Sequence, residues 1–220
     1  MAEGPPSPPT QIRTETNGPI VTGIGIGFLV VNVVFTALRF YTRATILKAI
    51  GKDDWAILIA TILSIVYSIA LFYEVKYGMG RHAENVTMAE TIEQLKFLML
   101  GIASYNAGMN VAKLGFLFQY RRIFQDKFVR TVCFWFIVYV CFWAVLQLTL
   151  LFLACFPLSI VVPTMAGKCL DTLPVWYSSS VMSMVTDIFI FCIPLPSVWK
   201  LQLPTRQRVL VMGIFCLGFL

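Results

Sequence analysis

The sequence predicts an all-α, polytopic membrane protein: a transmembrane helix bundle of five full spans plus an incomplete sixth, with the N-terminus outside. Three observations predict it. Long apolar stretches without Asp, Glu, Lys or Arg recur along the chain. Of the 220 residues 58% are hydrophobic and 13% charged, against about 25% charged in a soluble domain. Lys and Arg gather in alternate connections between the stretches. So much apolar surface needs lipid as its solvent. In lipid the backbone must satisfy itself, which leaves helices or a closed barrel. Barrel strands alternate in polarity over about 10 residues, and these stretches are continuously apolar, so helices are expected.

The elements follow in order. Residues 1–18 carry four prolines and two Glu, with no basic start and no early apolar run. They read as a disordered tail rather than a cleaved signal peptide. The transmembrane domain is then 19–220. Its spans are expected at about 19–41, 55–76, 95–119, 131–155 and 173–198, each reaching the roughly 20 residues that a bilayer requires. The stretch 209–220 (VLVMGIFCLGFL) has 12 residues and falls short. It is expected to be the start of a sixth helix in a longer design. Pro194 and Pro196 mark a kink or exit at the end of the fifth. Asp53 and Asp54 open the second, where acids suit the helix dipole. Trp55, Tyr73, Tyr77, Tyr120, Trp176 and Trp199 sit at span ends, as interface belts require.

Orientation comes from the charges. The connections after helices one, three and five hold Arg39, Arg43, Lys48, Lys52, Arg121, Arg122, Lys127, Arg130, Lys200, Arg206 and Arg208. The other side holds Arg13, Lys76, Arg81, Lys96 and Lys168. Eleven against five puts the N-terminus outside. The net charge of +6 is thus topology information, and no nucleic-acid partner is expected. The sequon Asn85-Val86-Thr87 falls on the outer side, making Asn85 a glycosylation candidate. Cys155 and Cys169 flank the outer connection after helix four, where an oxidising exterior favours a disulfide over two free thiols. Cys133, Cys141, Cys192 and Cys216 read as small apolar residues. No spacing suits a metal, and His82 stands alone in an outer loop.

Two charges interrupt the spans: Lys113 in helix three and Asp187 in helix five. Each costs about 2.5–3.5 kcal/mol at a helix centre, so each should face protein or water. Both helices run outside to inside. Lys113 lies 16 residues beyond Phe97 and Asp187 lies 15 beyond Thr172, so the two reach one level and are expected to neutralise each other. Both belong to polar stripes: Asn106, Asn110 and Lys113 on helix three, Ser180, Ser183 and Asp187 on helix five. Helix one contributes Asn32, Thr36 and Arg39, and helix two Thr61, Ser64 and Ser68. Helix four is poorer, with Gln147 and Thr149, and is expected to be the more lipid-exposed. The stripes have two readings, packing glue between membrane helices or a ligand pocket or transport path.

Seven blocks then carry a resemblance: ALRFYTR (37–43), KDDW (52–55), EVKYGMGRH (74–82), AKLGFLFQYRRIF (112–124), GKCLD (167–171), VTDIFIFCIPLP (185–196) and WKLQLPTRQR (199–208). In this order and spacing the chain resembles the fungal rhodopsin-domain integral membrane proteins, from about residue 20 onward. The resemblance implies a seven-helix architecture like that of a G-protein-coupled receptor, and makes the chain a C-terminally truncated copy. Some relatives are discussed as surface-cue receptors, others as members of secondary-metabolite gene clusters. It implies no retinal: a rhodopsin-type Schiff-base lysine sits in a seventh helix, and Lys113 is in the third. No cofactor and no catalysis are expected. The leading reading is a receptor-like protein, most naturally in the plasma membrane, with an extracellular small-molecule ligand and a cytoplasmic G protein as partners beside the lipid bilayer. The other is a small-molecule transporter or transport accessory using Lys113 and Asp187. Against transport, no internal repeat or interrupted helix pair is visible. Against an enzyme, no nucleophile motif or acid–base cluster is visible.

Overall fold

The computed structural model describes residues 18–80, 87–124, 126–153 and 171–194. Among these the regular structure is helical: α1 (Gly18–Tyr41), α2 (Lys52–Lys76), α3 (Met88–Ile123), α4 (Lys127–Leu153) and α5 (Thr172–Cys192). A wide π turn, Thr42–Ile46, continues α1. The sixth span, the N-terminal tail, Asn85, Cys155 and Cys169 lie outside the described residues.

Among the described residues four helices are long and apolar enough to cross a membrane: α1 with its π turn, α2, α4 and α5. The 36-residue α3 is the polar one, with Glu90, Glu93, Lys96, Asn106, Asn110, Lys113, Arg121 and Arg122. It is also the central one, packed against α2 and α4 and touching α5. Asn110, Lys113 and Arg122 spend their polarity on neighbouring helices, while Glu93 and Lys96 pair with each other at its exposed start. The core gathers Leu117, Tyr120, Val129, Cys133, Val140 and Ile190 from α3, α4 and α5.

The α2–α3 seam is built on glycine. Gly101, Gly108 and Gly115 recur every seven residues on the face of α3 that meets α2. A Cβ on Gly115 would lie 3.2 Å from Ile57 Cγ1, and one on Gly108 would lie 3.5 Å from Leu63 Cβ. Across from them α2 presents Ala56, Ala60 and Ala70. Small residues let membrane helices approach closely where no hydrophobic effect drives them together.

The bounds differ from expectation where local chemistry decides them. Helix α3 starts at Met88, not near 95, because Thr87 and Glu90 form a capping box. Thr87 N donates to Glu90 Oε2 at 2.9 Å and Glu90 N to Thr87 Oγ1 at 3.4 Å. Helix α5 ends at Cys192, with a bend at Ile193 ahead of the buried Pro194. The expectation that the fourth helix is the most lipid-exposed is corrected. No residue in the most apolar window of α1 is buried, whereas α4 buries Val129, Cys133, Val140, Gln147 and Leu151. Among the described residues α1 packs chiefly on α2, with the end of α3 beside it, while α4 lies between α3 and α5.

Candidate functional site

Three polar assemblies cross the bundle. The first is deep between α3 and α5. Lys113 is buried, with Nζ 3.1 Å from Asp187 Oδ1. It also donates to Ser183 Oγ at 2.8 Å and to the Ser183 carbonyl at 3.1 Å. An ammonium has three N–H donors, and these three acceptors use them all. Asp187 is partly open, its side chain 36% exposed.

The second assembly lies one to two turns away, toward the end where α3 and α5 begin. Its hub is Gln147 of α4. Gln147 Nε2 donates to Asn106 Oδ1 at 2.7 Å and also to Ser179 Oγ, while Oε1 accepts from Asn110 Nδ2 at 3.0 Å. Asn106 and Asn110 also donate to the carbonyls one turn back, Ile102 and Asn106, at 2.8 Å and 2.9 Å. This hub floors a cavity of about 320 Å³ between α3, α4 and α5. Its walls are aromatic and aliphatic: Ile102, Tyr105, Trp143, Leu150, Leu151, Val175 and Trp176. Its polar side is Asn106, Gln147, Ser178, Ser179 and Ser180. None of the described lining residues is an acid or a base of the Asp, Glu, Lys, Arg or His kind. Trp143 Nε1 is buried without an acceptor among the described residues. Since Ser179 Oγ accepts from Gln147, its own proton is left to donate. The free polarity of the wall thus includes two donors, the Ser179 hydroxyl and the Trp143 N–H.

The third assembly closes the opposite end, where α1 and α3 finish and α2 begins. Asp53 and Asp54 are buried, at 2% and 0% exposure. Arg39 reaches both, Nη2 to Asp53 Oδ2 and Nε to Asp54 Oδ1, each at 3.0 Å, and donates to Gln119 Oε1 at 3.1 Å. Arg122 Nη1 meets Asp53 Oδ1 at 3.1 Å, and its Nη2 donates to the Ala49 carbonyl at 2.7 Å. Gly51 N donates to Asp54 Oδ2 at 2.9 Å. Buried charges persist when paired and hydrogen-bonded, and here each carboxylate oxygen has a close donor. Between the two ends, Asn32 Nδ2 donates to Ser64 Oγ at 3.0 Å and the Thr36 and Thr61 hydroxyls meet at 2.9 Å, tying α1 to α2.

Of the residues singled out in the sequence, the structure brings Lys113, Ser183 and Asp187 together, joins Asn106 and Asn110 through Gln147, and sets Asn32 against Ser64. Sequence reasoning missed the Arg39–Asp53–Asp54–Arg122 assembly. Its signal was present: Arg39 closes the Asn32, Thr36, Arg39 stripe, and an Asp pair at a span start needs cations of its own. Counting the arginines by side absorbed them into topology. It also undervalued Gln147, a single amide on an apolar helix, which the structure makes a hub. Among the described residues no three His, Cys, Asp or Glu side chains gather as a metal site.

Two curated fungal proteins are similar in sequence. One is the Polyenoic acids biosynthesis gene cluster protein Ba17b of Metarhizium anisopliae, 28% identical over 198 residues, covering 87% of this chain and 54% of that protein. The other is the Wortmanamides biosynthesis cluster protein C of Talaromyces wortmannii, 27% identical over 235 aligned positions, covering 100% of this chain and 60% of that protein. The chain thus spans little more than half the length of these relatives. No solved structure matches it. The fungal rhodopsin domain matches residues 38–220, a stretch that contains all three polar assemblies, and the chain belongs to that family.

Proposed function

We propose that the protein is a receptor-like, non-catalytic membrane protein that takes a small amphiphile into the cavity between α3, α4 and α5. The observation that carries the reading is the adjacency of that cavity to the bundle's polar core. Ser179 touches the Gln147 hub, and Ser183, one turn along the same helix, holds Lys113. On α3, Asn110 of the hub precedes Lys113 by three residues, one turn. A ligand that accepts from Ser179 binds the same side chain that ties α5 to the Gln147 hub. Differential contact of this kind is what lets a ligand shift a helix.

The cavity chemistry suits an uncharged head with a hydrogen-bond acceptor and a short apolar tail. A carboxylate or ammonium would be desolvated there with no charged partner among the described lining residues. In this reading the cavity mouth faces outward and the arginine end inward, in the plasma membrane, as the basic-residue count favours. A Cys155–Cys169 disulfide closes the outer connection after the fourth helix, and Asn85 carries a glycan. The inner basic connections, with Arg121 and Arg130, meet a cytoplasmic G protein. That both relatives are named for biosynthesis gene clusters supports an association with such a cluster. Transport is disfavoured by Lys113 itself, whose three donors are all engaged.

The test is a matched probe set on the purified chain in phosphatidylcholine nanodiscs. Decanamide is expected to raise the thermal midpoint, and decanoate and decylamine to leave it unchanged. Ser179→Leu, which fills the cavity, should abolish the rise. A rise that survives Ser179→Leu, or one common to all three probes, contradicts the reading.

A further inference from the structure

At the end opposite the cavity, the arginine assembly has one cation too many. Arg39, Arg43 and Arg122 face two carboxylates, leaving a surplus charge of +1. The four carboxylate oxygens are already taken by Arg39, Arg122 and the Gly51 N–H. Arg43 stands behind them, Nη2 3.5 Å from Asp53 Oδ2 and Nε 3.7 Å from Asp54 Oδ1. Its side chain is only 17% exposed, and its ion pairs are all that engage it among the described residues. A guanidinium has five N–H donors in a planar fork, and none of Arg43's has a hydrogen-bond acceptor there. Beyond the two ion pairs, its N–H groups are left for an acceptor outside the described residues.

The surroundings say which. Arg43 sits in the π turn that ends a membrane-long helix, at the level of the expected interface anchor Trp55. Around it Tyr41, Ile46, Leu47, Ile50 and Trp55 are all exposed. Exposed apolar and aromatic side chains around a cation match the boundary between acyl chains and headgroups. Arg122, on the other oxygen of Asp53, supplies a second guanidinium nearby. Basic pockets between helices suit anionic headgroups, and the guanidinium fork suits the phosphate geometry.

We propose that Arg43, with Arg122 beside it, holds the phosphate of an anionic phospholipid against the ends of α1, α2 and α3. The lipid completes the charge balance of the assembly while its chains cover the exposed apolar ring. The site is separate from the cavity and does not depend on what the cavity binds.

The test uses the full chain in detergent, with native mass spectrometry and thermal midpoints read together. Dioctanoyl phosphatidylglycerol, dioctanoyl phosphatidylinositol 4-phosphate, dioctanoyl phosphatidylcholine and free inositol trisphosphate are titrated separately. The wild type is expected to retain an anionic lipid about tenfold more tightly than phosphatidylcholine. Arg43→Gln should remove that preference, while Arg130→Gln should keep it. If Arg43→Gln does not fold, Arg43→Lys replaces it and should weaken retention by losing the fork. Unchanged preference in whichever Arg43 variant folds overturns the proposal. So does free inositol trisphosphate binding as tightly as the lipids, which marks a soluble-anion site.

Discussion

At the residue scale, the sharpest feature is a lysine whose three donors are all engaged inside a membrane helix. Its partner Asp187 is partly open, so the pair is not a fully desolvated one. Removing only Lys113 leaves a carboxylate uncompensated and orphans Ser183. Lys113→Ala should therefore cost about 2 kcal/mol, less than a wholly buried pair because Asp187 is partly exposed. The double change Lys113→Ala with Asp187→Ala should recover part of the loss, since no lone charge remains. Unfolding midpoints of purified single and double variants check this, and equal loss in both contradicts it. The common depth of Lys113 and Asp187 is legible by counting residues from two span starts. The grip on Asp53 and Asp54 is not. Sequence places Arg39, Arg43 and Arg122 on the same side as the acids, but only the meeting of three helix ends decides which cation reaches which oxygen.

At the element scale, Gly115 of α3 and Gly23 and Gly27 of α1 do opposite things. Gly115 has Ile57 and Ala56 of α2 against it, whereas a Cβ on Gly23 or Gly27 of α1 meets nothing within 4 Å. Gly115→Val should destabilise by about 1–3 kcal/mol by forcing α2 and α3 apart. Gly23→Ala should be neutral or stabilise by about 0.5–1 kcal/mol, because it only removes backbone freedom. Comparative denaturation of the two variants reads the difference directly. The seven-residue glycine period stands in plain view in the sequence. Hydropathy hides it, because glycine is neither polar nor strongly apolar. Span centres were legible from apolar length alone. Their ends were not, because α3 begins at a capping box outside the apolar stretch and α5 bends ahead of a proline inside one.

At the scale of the whole molecule, the two ends are built differently. One end is cross-braced by buried acids and arginines that bind α1, α2 and α3 together. At the other, α5 meets α3 and α4 across a cavity, held there by the hydroxyl of Ser179, with Ser183 one turn further along. Composition made the membrane class legible, and the charge count made the polar ends legible. The cavity was not, because it arises between three helices and leaves no periodic trace on any one of them. The most direct measurement of the central claim is tritiated decanamide on sealed proteoliposomes, read for both binding and uptake. The account predicts saturable binding that Ser179→Leu abolishes, with no protein-dependent accumulation in the lumen. Lumenal accumulation, or saturable binding that Ser179→Leu leaves intact, would contradict it.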